Sequence, residues 1–191
     1  MKKIAILLIV ILKTSGYSQE KEEVKGVEKS LFNIQVGTFG AWFSNEYKLN
    51  KELVLRTEIG LNAARYNGTI SNNTETIFAP VINIEPRWYY NILKRESNFK
   101  KTVNNSANFV TAMVSYHPDW FTYSKVSNIN VVNQIAIIPK WGIRRNLGYN
   151  FMFEAGLGLG YKINLYKNNS GYFKNRGESV VDLHLRIGKT F

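Results

Sequence analysis

Val181-Asp182-Leu183-His184-Leu185-Arg186-Ile187-Gly188-Lys189-Thr190-Phe191 ends the chain. Odd positions read Val, Leu, Leu, Ile, Lys and Phe; even positions read Asp, His, Arg, Gly and Thr. Successive side chains of a strand point to opposite faces, so this stretch is a strand with one apolar and one polar face. A strand that crosses a bilayer needs about 9–11 residues of such alternation. The stretch meets that length and closes on an aromatic residue.

The opposite end carries an export pattern. Lys2 and Lys3 precede an apolar core, Ile4 to Leu12, and the polar run Thr14-Ser15-Gly16-Tyr17-Ser18 follows. Gly16 and Ser18 are the small residues that a signal peptidase site requires, so residues 1–18 read as a cleaved signal peptide and Gln19 as the first mature residue. The core is too short for the roughly 20 apolar residues of a spanning helix. No later segment has 18 apolar residues in a row, so no helical span is expected. The chain has no cysteine, which excludes disulfides, thiolate chemistry and a lipoprotein attachment site.

The formal charge is +11; losing Lys2, Lys3 and Lys13 with the signal leaves +8. Export argues against nucleic acid as the partner of that charge. Many cations fall in connections: Lys94, Arg95, Lys100, Lys101, Lys167 and Lys174. Solvated loop charge is the preferred reading, and contact with phosphates of outer-leaflet glycolipid the sharper one.

Between the ends, residues 19–29 are charged and aperiodic and read as a short periplasmic tail. From Ser30 the chain divides into eight alternating segments separated by turn chemistry, at about 30–38, 41–49, 52–65, 77–92, 106–117, 131–145, 149–163 and 179–191. Residues 30–191 therefore read as one all-β domain, an eight-stranded antiparallel transmembrane β-barrel. On the third segment Leu53, Leu55, Thr57, Ile59, Leu61 and Ala63 oppose Val54, Arg56, Glu58, Gly60 and Asn62. On the fourth, Ile82, Ile84, Trp88, Tyr90 and Ile92 oppose Asn83, Glu85, Arg87 and Tyr89. The fifth is ambiguous, because Phe109, Val110, Met113 and Val114 occupy both parities. Pro86 and Pro139 each remove a ladder donor, and bulges are expected there. The first hairpin is the weakest assignment.

An even strand number puts both termini on one side. A periplasmic amino-terminus makes 50–51, 93–104 and 146–148 the periplasmic connections, and 66–76, 117–130 and 164–178 the outer loops. Tyr47, Trp88, Tyr90, Trp141, Tyr149, Phe151 and Phe191 then gather at one rim, and Tyr116, Trp120, Phe121 and Tyr161 at the other. Two aromatic girdles are what headgroup zones select.

Signal peptide, eight amphipathic segments, girdles and terminal Phe191 together resemble the small Gram-negative outer-membrane β-barrel families of the OmpA/OmpX size class, including barrel families without an assigned role. The resemblance spans nearly the whole mature chain. It implies residence in the cell outer membrane, contact with outer-membrane lipid and glycolipid, and folding by the barrel assembly machinery, with Phe191 as the assembly signal. Such families include adhesion factors, structural anchors, narrow channels and some lipid-modifying enzymes, so fold resemblance alone does not choose a role.

Gly156-Leu157-Gly158-Leu159-Gly160 lacks the spacing of a phosphate loop. Its glycines are expected to leave room for side chains from the opposite wall. Ser115, His117 and Asp119 lie two apart, about 7 Å along a strand, too far for a nucleophile–base bond of about 3 Å. No catalytic, cofactor or metal residues are assigned. The strongest pattern is on the inward faces, where Arg56, Arg87, Lys140, Arg144 and Arg186 meet Glu58, Glu85, Glu154 and Asp182, with His184 beside them. Arg56 and Glu58 are expected to pair with Glu85 and Arg87, and Lys140 and Arg144 with Glu154. An eight-stranded barrel can be filled by side chains, and buried charges must be paired. A non-enzymatic barrel with a plugged lumen and a structural or interaction role is expected. A narrow channel for small solutes or ions is the alternative, and a lipid-modifying enzyme the third reading; the surface ligand is not legible.

Overall fold

The computed structural model describes residues 24–67, 74–124, 132–165 and 176–191. The expected signal peptide, the start of the expected tail, and parts of the three expected outer loops, with Lys167 and Lys174, lie outside the described residues.

Eight strands follow one another: β1 (Ser30–Gly37), β2 (Gly40–Lys48), β3 (Leu53–Asn67), β4 (Thr74–Trp88), β5 (Asn108–His117), β6 (Asn133–Gly148), β7 (Phe151–Leu165) and β8 (Arg176–Thr190). Each pairs antiparallel with its sequence neighbour, and β1 pairs with β8, so the sheet closes as a barrel with no free edge. Carrying the registers once round displaces the chain by about 12 residues, the stagger that lets a tilted sheet close. The seam runs from Asn33↔Thr190 to Gly37↔Arg186. Phe191 lengthens it, its N–H donating to the Phe32 carbonyl at 2.9 Å.

Alternation sorts the two faces. Phe32, Ile34, Val36, Phe43, Ile59, Leu61, Ile84, Trp88, Val114, Ile137, Trp141, Leu157, Leu159, Val181, Leu183, Leu185 and Ile187 are exposed on the outer wall, while Asn33, Gln35, Ser44, Arg56, Glu58, Asn83 and Glu85 are buried inside it. On β5 the registers with β4 and β6 decide what parity left open. Phe109, Thr111, Met113 and Ser115 point inward, and Ala112 and Val114 are exposed.

Several expectations need correction. Neither Pro86 nor Pro139 makes a bulge. Pro86 stays opposite Leu55 and Pro139 opposite Ala112. The β4–β5 ladder omits Glu85 and Pro86, and the β6–β7 ladder omits Ile138 and Pro139, with the register unchanged on either side. A proline can drop its bond without the sheet inserting a residue. The irregularity falls instead between Asn146 and Gly148, where Gly148 takes φ +99°.

The connection after β4 is not a plain loop. It forms α1 (Ile92–Ser97) and a 3-10 turn at Val103–Asn105. Ile92, expected on the outer wall, is fully buried, because β4 ends at Trp88 and the chain turns across the barrel base. Val27, Val54, Tyr89, Ile92, Ala107 and Phe109 form one buried cluster there, with Leu93 against it. Residues 24–29 pack on this base rather than hanging free. Val27 N–H donates to the Lys51 carbonyl at 2.9 Å, and the Lys25 and Gly26 amides donate to the Glu96 carboxylate. Gly26 has φ +70° with the Lys51 carbonyl against its α-carbon, so a side chain there has neither the backbone conformation nor the space.

Candidate functional site: the charged lumen and the cavity above it

All eight strands contribute a polar or charged side chain to the middle of the lumen, and all ten residues singled out from the sequence face inward. At the centre, Glu154 of β7 accepts from two arginines. Arg87 grips it with both terminal nitrogens, at 3.0 and 2.9 Å, and Arg144 donates through Nε at 3.0 Å and Nη2 at 2.9 Å. His184 Nε2 lies 3.3 Å from its other oxygen. Glu58 of β3 accepts from Arg56, from Arg186 Nη1 at 2.7 Å and from Asn83 Nδ2 at 2.7 Å. Glu85 accepts from Arg87 Nε at 2.8 Å. Lys140 Nζ lies 2.9 Å from Asp182 and 3.7 Å from Glu85.

Arg144 pairs with Glu154 as expected, and the other partners differ. Arg87 reaches across the lumen to β7, and Lys140 pairs with Asp182 instead of Glu154. Arg56 binds Glu58 of its own strand and Glu46 of β2. Cross-strand register places backbones, but long guanidinium arms select the best fork geometry within reach.

Glu46 is the residue that sequence reasoning missed. Fully buried, it accepts from Arg144 Nη2 at 2.6 Å, Arg56 Nη1 at 3.2 Å, Tyr89 Oη at 3.1 Å and Asn105 Nδ2 at 2.9 Å. With it the network in the middle of the lumen holds, among the described residues, five carboxylates against Arg56, Arg87, Lys140, Arg144 and Arg186. Its inward parity with Trp42 and Ser44 was the available signal. Tyr89, just beyond β4, is buried so completely that its hydroxyl is held above its ordinary pKa and stays a donor. Three cations also lie over rings: Arg87 over Phe109 at 4.2 Å, Arg144 over Tyr89 at 5.9 Å and Arg186 over Trp42 at 3.8 Å.

The glycines of β7 make room, though not for the opposite wall. A Cβ on Gly156 would fall 2.5 Å from the His184 ring on adjoining β8, and one on Gly158 would overlap Lys140 on adjoining β6.

Toward the loop end the filling stops. A cavity of about 580 Å³ has Trp42, Ile77, Met113, Ala136, Ile138 and Val180 in its walls and Asn83, Asp182, His184 and Arg186 at its charged side. Thr38, Phe39, His117 and Gln134 line it near the strand ends. Ser115 also lines it, and His117 Nε2 sits 2.9 Å from Asn62 Nδ2. Asp119 is exposed beyond the end of β5, so the structure does not gather Ser115, His117 and Asp119 into one site. Among the described residues no group of three or more His, Asp or Glu side chains is placed to hold a metal.

Compared with known proteins, the chain stands without a match: no protein family, no curated protein and no solved structure matches it.

Proposed function

We propose that the protein is an integral outer-membrane barrel with a closed lumen, serving a structural or interaction role at the cell surface without chemistry of its own. The supporting observation is the inversion of its faces. A water-soluble barrel keeps charge outside and apolar side chains within; here a continuous apolar wall surrounds a buried ionic network. Exposed apolar patches beyond a few hundred Å² mark interaction or membrane surfaces, and this wall runs right round the molecule. The charged outward residues with described side chains in β1–β8, Arg145 and Lys189, lie near the turn end, as headgroup contact requires.

In this reading the base faces the periplasm and the loop end faces out. Lipid and glycolipid cover the wall, and the assembly machinery reads Phe191. The cavity favours a second reading, a narrow channel, but the ionic network and the Val27–Ile92 cluster stand beneath it.

The location is tested by fractionation and gel mobility. Outer-membrane recovery with a heat-dependent shift is expected; a soluble periplasmic protein without the shift overturns the proposal. Cysteines replacing Thr38 and Lys51 test the orientation in intact cells. An impermeant reagent should label the first and spare the second.

A further inference from the structure

The lumen is closed at one end and hollow at the other, and the hollow is built like a ligand site. Its volume falls within the range of about 300–1,000 Å³ typical of small-molecule pockets. Its walls are mainly apolar, and polar side chains stand at its floor and toward its mouth. We propose that this cavity binds a small molecule with an apolar body and one uncharged hydrogen-bonding end, such as a hydroxyl.

Two observations favour that chemistry. First, the charges lining the cavity are already paired with other side chains: Arg186 with Glu58 at 2.7 Å, Asp182 with Lys140 at 2.9 Å, and Lys162, toward the strand ends, with Glu178 at 3.1 Å. A ligand with full charge would enter without a counter-charge and lose its hydration, which is far costlier than burying a hydroxyl. Second, the remaining polar side chains of the wall include Asn62, Asn83, Ser115 and Gln134, uncharged groups of the kind that hydrogen-bond a hydroxyl. The apolar body would then lie against Met113, Ala136, Ile138 and Val180, which already form one packed group.

The chain supplies its own reporter. Of its three methionines, Met1 lies in the expected signal, Met113 lines the cavity, and Met152 is fully buried and touches Gln35 through sulfur at 3.5 Å. The mature protein, ¹³C-labelled at its methionine methyls in lipid nanodiscs, is titrated with 2-naphthol, 2-naphthoate and 2-naphthylmethylammonium. These share a body and differ in charge. The expected result is a saturable shift of the Met113 methyl with 2-naphthol, little change at Met152, and at least about tenfold weaker binding of both ions. Ala136→Phe, which fills the cavity, should abolish the shift, and Ile138→Trp repeats the test if the first variant loses heat-modifiable mobility. No saturable Met113 shift, equal shifts at both methionines, retention of the shift in a folded filled variant, or an ion binding as tightly as the alcohol would each overturn the proposal. Because the naphthol readout is independent of conductance, its failure leaves the closed-barrel reading standing.

Discussion

The two halves of the lumen are made from the same strands by different means. Toward the base every inward position is spent: long guanidinium groups knit Glu46, Glu58, Glu85 and Glu154 together, and an apolar cluster from α1, β3, β5 and Val27 closes the end. Toward the loops several inward residues are short, Ala79, Ala136 and Ser115 among them, and space remains beside Trp42, Met113 and Ile138. The same alternation therefore gives a solid floor and a hollow chamber. Side-chain length on the inner face makes the difference, not the path of the backbone.

That contrast predicts a gradient of mutational cost. The largest effect belongs to the centre of the floor. Glu154→Ala strands Arg87 and Arg144, and an unpaired buried charge costs about 3–5 kcal/mol, so urea unfolding of the purified barrel should move to clearly lower denaturant. A loss below about 1 kcal/mol would mean that water reaches these groups and the floor is not solid.

Next comes the apolar closure. Ile92→Ala opens a void in a packed cluster and should cost about 3 kcal/mol in the same measurement. The matching change in the chamber, Ile138→Ala, removes contacts from a wall that already borders open space, and should cost less than about 2 kcal/mol. Equal losses at the two positions would erase the distinction between the halves. Smallest of all is Glu178→Ala at the rim. The Glu178–Lys162 ion pair, at 3.1 Å, is solvent-exposed, and its removal should leave the unfolding midpoint unchanged.

Much of this was legible in the sequence because a strand writes both of its environments into alternate residues. Thr57 and Ile59 face out while Arg56 and Glu58 face in, and no tertiary knowledge is needed to separate them. The first hairpin blurs the code, since outward Asn45 is polar and inward Trp42 is apolar, and Glu46 was lost with it. The base was illegible for another reason. Ile92-Leu93-Lys94-Arg95-Glu96-Ser97 is a single short helix without a side-chain cap, and what buries Ile92 is Val27, Val54 and Phe109 from distant parts of the chain. The chamber depends on which side chains meet across the lumen, and periodicity within one strand carries no such information.

The claim that the lumen is closed is tested most directly by current through single barrels in a planar bilayer. The unmutated protein should pass negligible current at any salt concentration, because the ionic floor and the Val27–Ile92 cluster leave no continuous path. Steady, ion-selective conductance from the unmutated protein, with selectivity altered by Glu154→Ala and stability untouched, would contradict the closed lumen and make the barrel a channel.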